Sequence, residues 1–301
     1  MTTGTTMPHV GLILPNYGTR LEPGALIRAT QTAEAAGFDS GWLTDHILVP
    51  RDMAPIYGTI AEALVTLGFL LACTERIRIG VSALIVPLRE PILTLKQLIT
   101  ADYLSRGRVL TAVAAGWLEG EFDTLGASYK DRGRRLDSWI ELAIESFSAT
   151  PGMLKPGWVT TGGGWMAPGP ALKAGPELWV GGVSRNTLRR AAKTGVWHPV
   201  ALTVNELQSK AADFRQLRPD GRIILRIATY LSEIPDPDAT DERGRPAISG
   251  PPEWIAENLG RYLDEGCDGF VVNLDHKQPN LEERIERFGH EVLPLLETSR
   301  T

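Results

Sequence analysis

An aspartate and a histidine stand side by side at Asp45 and His46, directly after a short apolar run that ends at Leu43. Histidine is the side chain whose charge changes near neutral pH, so His46 could transfer a proton, and the adjacent carboxylate could orient it or contact a ligand. The alternative is structural, with Asp45 capping a turn and His46 packing beside it. Whether the role of Asp45 and His46 is functional or structural depends on the fold that positions them.

A glycine pair and a serine, Gly181, Gly182 and Ser184, follow another apolar run. The glycines would let a ligand approach the backbone closely, and Ser184 could cap a helix that starts there. Free N–H groups at the start of a helix attract phosphate, and Arg185 could add positive charge. A tight turn with an ordinary helix cap is the alternative, and the motif taken alone favours that alternative.

Further candidate positions also lie where apolar runs end. They are Ser82, Ala83, Gly116, Trp117, Trp197 and His198. Trp117 could line a planar ligand, although a tryptophan of the core is the more common case. His198 could be a second histidine of the site or a structural one.

Several classes of site are disfavoured by what the sequence lacks. It has no HxH, HExxH or clustered His/Asp set, so no metal is expected, and it has no G-x-S-x-G elbow. The two cysteines, Cys73 and Cys267, lie far apart, which argues against a zinc cluster or a disulfide scaffold and is typical of reduced thiols in a cytoplasm.

The composition is that of an ordinary globular protein. The chain has 301 residues, of which 43% are hydrophobic and 22% charged, and its formal net charge is −5. Because no Lys/Arg-rich run stands out, nucleic acid and anionic membrane are disfavoured as partners. The first residues lack a signal-peptide pattern, and the longest apolar tract, residues 60–73, is shorter than the ~20 residues that a bilayer span needs. A cytoplasmic location is expected.

Eight strand-like runs alternate with helical segments along the chain. The strands are predicted at residues 10–14, 40–44, 77–82, 109–114, 178–180, 196–201, 223–231 and 270–274. The helices are predicted at residues 24–36, 59–73, 91–104, 132–147, 184–193, 205–218, 252–265 and 281–296. This alternation predicts an α/β fold of the (β/α)8 TIM-barrel type as a single domain over residues 1–301. A doubly wound sheet is the competing architecture, but its GxGxxG fingerprint is absent.

Two long segments interrupt the alternation. Residues 151–176 are rich in Gly and Pro and predict an insertion, either a short hairpin or a lid, whose Trp158 and Trp165 are expected to pack. Residues 232–251 are rich in Pro and Asp and predict a second loop. Since barrels carry their chemistry at the carboxyl ends of the strands, Asp45 and His46 are predicted to lie on the functional face, and His9 on the opposite face.

Taken together, these residues resemble the bacterial luciferase-like oxidoreductases, and more closely the branch that uses the deazaflavin coenzyme F420. The motifs that carry the resemblance are GFDSGWLTDHILVP, AAGWLEGEFDTLG, ELWVGGVSRNTLRRAAKTG and VWHPV. The resemblance extends over nearly the whole chain, and it rests on the order and spacing of the motifs because each is weak alone.

The resemblance implies a role for each matched residue. Asp45 would contact the deazaflavin, and His46 would be the acid or base. Ser82 and Ala83 would be joined by a non-prolyl cis peptide bond whose bulge supports the back of the ring. The family's phosphate-binding turn corresponds to three positions of this chain: Gly181, Gly182 and Ser184. The remaining predicted contacts are Gly116, Trp117 and Arg185 to the cofactor, and Asn16, Trp197 and His198 to the substrate.

The family also implies an activity, a hydride transfer between the deazaflavin C5 and a small organic substrate. Relatives that act on sugar phosphates have a glutamate where Trp117 stands, so a sugar-phosphate substrate is disfavoured. An FMN-dependent monooxygenase that receives reduced flavin from a separate reductase is the close alternative, and a non-catalytic ligand-binding barrel is a third. A homodimer is expected by analogy with the family.

Overall fold

Eight parallel strands close into a barrel in the computed structural model, which describes residues 7–18, 21–149, 152–154, 164–172, 174–275 and 280–298. The described residues form eleven strands, of which β5, β6 and β10 are not part of the closed barrel. The strands are β1 (His9–Ile13), β2 (Ser40–Leu43), β3 (Arg78–Leu84), β4 (Val109–Val113), β5 (Gly152–Leu154), β6 (Gly164–Met166), β7 (Glu177–Gly181), β8 (Val196–His198), β9 (Arg222–Leu231), β10 (Ala247–Gly250) and β11 (Gly269–Asn273). The barrel order is β1-β2-β3-β4-β7-β8-β9-β11, and β11 pairs with β1 to close it. The predicted (β/α)8 barrel is confirmed.

The helices follow the predicted order. They are α1 (Pro23–Ala35), α2 (Ala54–Tyr57), α3 (Ala63–Ala72), α4 (Pro91–Ser105), α5 (Glu119–Thr124), α6 (Arg132–Ala149), α7 (Arg185–Thr194), α8 (Val204–Leu217), α9 (Pro252–Asp264), α10 (Leu281–Arg287) and α11 (Leu293–Thr298). The helix predicted over residues 59–73 begins only at Ala63, because the Glu62 carboxylate accepts from the Val65 N–H and caps it there. In the part of the chain that is described, no helix is long and apolar enough to cross a bilayer.

Alternate residues of each strand face two different cores. Leu110 and Ala112 of β4 pack inside the barrel, whereas Val109 and Val113 pack against the surrounding helices. A strand buried on both faces reads as a continuous apolar run, which is why the sequence shows runs rather than alternation. The same alternation decides which side chain at each strand end can reach the inside of the barrel.

The segment at 151–176 contains the predicted hairpin, since β5 and β6 pair antiparallel. Residues 155–163, which include Trp158, lie outside the described residues, so a lid stays a prediction. The prediction that Trp165 packs is wrong, since this residue is 72% exposed.

The predicted loop over residues 232–251 contains a strand, β10, that the sequence does not predict. β10 pairs parallel with the end of β9, from Ala247 against Ala228 to Gly250 against Leu231. This is possible because β9 is ten residues long and its last residues extend past the neighbouring strands, which leaves an edge to pair with. The loop is therefore anchored at the rim of the barrel.

A polar group is largely buried at the amino-terminal end of the barrel. His9 lies at the start of β1, on the side predicted for it, and its Nε2 is 2.8 Å from the Ser40 Oγ, which also accepts from the Trp42 indole at 2.7 Å. The Trp42 and Trp179 rings lie beside it with centroids 4.4 Å apart. Burial among these groups, together with the nearby charges of Arg78 and Arg222, lowers the pKa of His9 to about 3.

This histidine makes stability depend on pH. Because the pKa of His9 falls from 6.5 to about 3 on folding, the unfolded chain binds the proton first. The contribution of neutral His9 to the free energy of unfolding is therefore complete above pH 6.5. Below this pH the free energy of unfolding decreases by up to about 1.4 kcal/mol per pH unit. We expect the free energy of unfolding, measured with urea at several pH values between 7 and 5, to fall less steeply with decreasing pH in His9→Gln than in the wild type. The control is His290→Gln, at an exposed position, and equal slopes for all three proteins would contradict the prediction.

Candidate functional site

A cavity of about 640 Å³ opens at the carboxyl ends of the barrel strands. Ten of the predicted site residues line it: Asp45, His46, Ser82, Ala83, Gly116, Trp117, Gly181, Gly182, Ser184 and His198. Asn16, Arg185 and Trp197 are not among the described residues that line it. The sequence rule that places chemistry at strand ends therefore brings most of the candidates together.

His46 is held by a carboxylate from another part of the chain. Its side chain is 4% exposed, and its Nδ1 lies 2.9 Å from Oε2 of Glu121 on α5. The Glu121 Oε1 accepts from the backbone N–H of Ile47 at 2.6 Å and of Leu48 at 3.2 Å. With a carboxylate as acceptor, the Nδ1 carries the proton, and the Nε2 is the atom left for proton exchange.

Glu121 is not among the predicted site residues, although it lies in the motif AAGWLEGEFDTLG. It is 75 residues away from His46, so no local spacing links the two. The available signal was an acidic residue next to the apolar Phe122 in a short helix that follows a barrel strand. Both side chains are buried, and a buried carboxylate requires partners.

Two aromatic rings enclose His46. The Tyr57 ring centroid is 4.7 Å from that of His46, and the Trp117 ring meets it edge-on at 6.1 Å. Trp117 is 43% exposed at the mouth of the cavity, and the preceding Gly116 has φ +82°. A side chain at Gly116 would meet Ile85 and Phe122, so the glycine is required by the turn that presents Trp117.

Both oxygens of Asp45 are engaged by the protein. Oδ1 lies 2.7 Å from Nη2 of Arg89, and Oδ2 accepts from the Ile85 N–H at 2.8 Å. Burial raises the pKa of Asp45, and Arg89 and the Ile85 N–H oppose this rise. Asp45 thus fixes the chain that follows β3, and its predicted contact with a cofactor would use a remaining lone pair.

The peptide bond between Ser82 and Ala83 is cis, as the resemblance implied. The Ser82 Oγ lies 2.8 Å from Nε2 of His198, whose Nδ1 is 2.6 Å from the carbonyl of Ile224. Burial lowers the pKa of His198 to about 4, so it is neutral at pH 7 and its Nδ1–H donates to Ile224. Arg226 donates to the carbonyl of Ser82. His198 therefore lines the cavity and also positions the cis segment.

The glycine turn after β7 leads into a helix whose start faces the cavity. Gly182 has φ +121°, and a side chain there would lie 3.0 Å from the Thr187 Oγ1. Ser184 caps α7 by accepting from the Thr187 N–H at 3.2 Å. The Trp197 indole donates to the Gly182 carbonyl at 2.8 Å, so Trp197 supports this turn from outside the cavity.

Two other predicted contacts lie elsewhere. Asn16 is fully buried; its Nδ2 donates to the Thr44 carbonyl at 2.8 Å, and its Oδ1 accepts from the Thr44 N–H at 2.9 Å. The side chain thus joins the loops after β1 and β2 and does not line the cavity. Arg185 is exposed at the start of α7. A position at a strand end correctly predicts most of the residues that line the cavity, but it does not predict the direction of each side chain.

The cavity is lined mainly by positive charge in a chain of net charge −5. Among the described residues its charged lining consists of Lys130, Arg132, Arg190, Arg226, Arg243, Arg245, Asp45 and Asp241. Both aspartates are bonded to arginines, Asp45 to Arg89 and Asp241 to Arg245. Such a lining attracts anionic ligands. Across the described part of the chain, no group of three or more His, Cys, Asp or Glu is placed to hold a metal ion.

The known proteins that this chain resembles in sequence and in structure include redox enzymes. The model of the luciferase-like monooxygenases matches residues 3–231. An FMNH2-dependent dimethylsulfone monooxygenase of Pseudomonas fluorescens is 24% identical over 89% of this chain and 86% of its own length. The coenzyme F420-dependent tetrahydromethanopterin reductase of Methanopyrus kandleri superposes with a TM-score of 0.77 at 16% identity, over 96% of this chain and 99% of that one. A long-chain alkane monooxygenase superposes with a TM-score of 0.78 at 14% identity, over 98% and 92% of the two chains.

Proposed function

Because the chain belongs to the luciferase-like monooxygenase family and is therefore an oxidoreductase, we propose that it works with the deazaflavin coenzyme F420. In this proposal a hydride passes between the deazaflavin C5 and a small organic substrate. The observation that carries the proposal is the buried pair of His46 and Glu121, which presents a proton-exchanging nitrogen to a cavity lined by positive charge.

The residues present fit a flavin-type cofactor. Gly182 and Ser184 would bind the phosphate at the start of α7, where free N–H groups and the positive end of the helix dipole favour an anion. The cis segment at Ser82 and Ala83 lines the cavity and would support the ring. The cavity volume falls within the range of ~300–1,000 Å³ that is usual for sites of small molecules and cofactors.

The chain itself supplies proton transfer and shielding. When bound, the deazaflavin supplies the hydride chemistry at C5. The Nε2 of His46 would give a proton to the substrate in the reducing direction and take it in the oxidising direction. Glu121 stabilises the imidazolium, and Tyr57 and Trp117 limit the access of water to His46.

FMN is the second candidate cofactor, because the dimethylsulfone monooxygenase that matches most of this chain is FMNH2-dependent. The two cofactors share the ring system, the ribityl chain and the phosphate, so the same glycine turn would hold either. The Asp45–His46 pair and the segment from Val196 to Val200 resemble the deazaflavin branch, which is our reason to place F420 first. A homodimer and a separate reductase stay predictions of the resemblance.

Titration of the purified chain with coenzyme F420 and with FMN, followed by fluorescence, tests this choice. We expect tight binding of F420 and at least about tenfold weaker binding of FMN, a difference of about 1.4 kcal/mol. Tight FMN binding without F420 binding would identify the monooxygenase instead, and binding of neither would favour a non-catalytic barrel.

A matched pair of variants shows whether the cofactor occupies the predicted turn. Gly182→Ala should weaken binding of whichever cofactor binds, because the new methyl group crowds Thr187 at a strained φ. Gly266→Ala imposes the same kind of strain at φ +88° after α9 and meets no described neighbour, so it should leave binding unchanged.

A further inference from the structure

The cations of the cavity fall into two groups on different elements. Lys130, Arg132 and Arg190 belong to α6, to the residues just before it and to α7, beside the glycine turn. Arg226, Arg243 and Arg245 belong to β9 and to the turn between β9 and β10; we call them the β9–β10 arginines. The phosphate of a flavin-type cofactor would meet the first group. The second group therefore requires a different explanation.

Arg243 lies at the mouth of the cavity, directly above an aromatic ring beside the proton-exchanging histidine. Its guanidinium carbon is 4.5 Å from the centroid of Trp117, whose ring contacts that of His46. Among the described residues, the Arg243 side chain has no salt bridge to a carboxylate. The face of a tryptophan holds a guanidinium while leaving its N–H donors free for an anion.

The turn that carries Arg243 is well ordered by hydrogen bonds. The Asp241 Oδ1 accepts from the Arg243 N–H at 2.9 Å and from the Arg245 N–H at 3.0 Å, and its Oδ2 accepts from the Arg245 Nε at 2.8 Å. An antiparallel bridge between Thr240 and Pro246 closes the turn. Asp241 is therefore occupied within the turn. The remaining acid of the turn, Glu242, is exposed and does not line the cavity.

Deeper in the cavity, Arg226 is a half-buried cation whose hydrogen-bond acceptors among the described residues are neutral oxygen atoms. It donates to the Ser82 carbonyl, to the Ser82 Oγ at 3.3 Å and to the Thr44 Oγ1 at 3.3 Å. No described carboxylate forms a salt bridge with it. A half-buried charge without a carboxylate in direct contact is poorly compensated, so this side of the cavity favours a ligand that brings negative charge.

We propose that the substrate is an organic acid with an apolar or aromatic body. Arg243 binds its carboxylate above Trp117, Tyr17 and Tyr57 contact its body, and its reacting carbon lies near His46. This assignment rests on the proposed function, because it names the substrate of the same site. It goes further by naming the group that the enzyme recognises and the residue that recognises it.

Binding measurements on the full chain saturated with its cofactor test the assignment. The probes are hexanoate and 3-phenylpropanoate, each compared with its neutral amide of the same shape. We expect each acid to bind at least about tenfold more tightly than its amide, the usual scale of a hydrogen bond to a charged group. Arg243→Gln should remove most of this preference and leave amide binding unchanged, and Arg243→Lys should keep part of it.

The control is Arg261→Gln, which removes an exposed arginine from α9 and the same unit of charge from the chain. Acids that bind no better than their amides, or that do not bind, would overturn the proposal. So would equal weakening of acid and amide in Arg243→Gln, which would indicate that Arg243 only covers Trp117. Failure of the proposed function is a separate result, since it appears in the cofactor titration. If no cofactor binds, the same comparison of acid and amide on the chain alone still tests the arginine site, and only the redox role is removed.

Discussion

His46→Ala is expected to lower kcat by at least about a hundredfold, with a change of less than about threefold in the dissociation constant of the cofactor. A positioned acid or base contributes to the transition state rather than to binding, so its loss lowers kcat. The glycine turn after β7 and the cis segment, which would supply most of the cofactor contacts, are untouched by this substitution.

The measurement is stopped-flow absorbance of the cofactor, with a substrate found by screening organic acids and alcohols on the wild-type chain. Cofactor affinity is measured separately by fluorescence titration. His290→Ala, at an exposed position, is the control for the loss of a histidine. Because His46→Ala also leaves Glu121 without its partner, thermal unfolding of the variant must show a folded protein. Wild-type turnover in a folded His46→Ala protein would remove His46 from the mechanism.

The barrel was predictable from sequence because its determinants are local. Each strand is a short apolar run, each helix has its own periodicity and boundaries, and right-handed crossovers leave few ways to arrange the alternation. β10 was missed for the opposite reason: it forms only because the end of β9 offers an unpaired edge. The pairing partner of a short strand is a property of the assembled barrel.

The site was predictable in its positions but not in its contacts. The rule about strand ends located His46, Ser82 and Gly182 in one cavity. It also selected Asn16 and Trp197, whose side chains are used by the backbone of neighbouring loops. In β8 the alternation sends His198 into the cavity and Trp197 outward, and three residues are too few for a sequence pattern to reveal that register.

The two residues that most alter the chemical interpretation come from sequence that is distant from the elements they serve. Glu121 reaches His46 from α5, and Arg243 reaches Trp117 from the turn after β9. Both contacts join segments that only the closed barrel brings together, so the sequence contains the residues but not the pairing. In the proposed function, Glu121 would orient His46 for proton transfer, and Arg243 lies next to this pair through its contact with Trp117.

Glu121→Gln should therefore reduce kcat by about 10²- to 10⁴-fold, although it changes only one non-hydrogen atom of the side chain. In the wild type, one oxygen accepts from His46 and the other from the backbone of Ile47 and Leu48. Glutamine has a single side-chain oxygen, which would accept the hydrogen bonds from the two backbone N–H groups. Its NH2 group would then point at the His46 Nδ1 and force the proton of the imidazole onto Nε2. In that tautomer His46 cannot accept a proton from the cavity, and no carboxylate stabilises its charged form.

Nitrogen-15 NMR of histidine-labelled protein reports the tautomer directly, with the His46 signal assigned from its absence in His46→Ala. We expect the Glu121→Gln spectrum to show Nε2 protonated, and the wild-type spectrum to show Nδ1 protonated. Glu119→Gln is the matched control, because Glu119 is exposed on the same short helix. A Glu121→Gln protein that is merely less stable, with an unchanged tautomer and unchanged kcat, would restrict Glu121 to a structural role. A changed tautomer together with reduced kcat would show that the carboxylate determines the proton-transfer competence of His46.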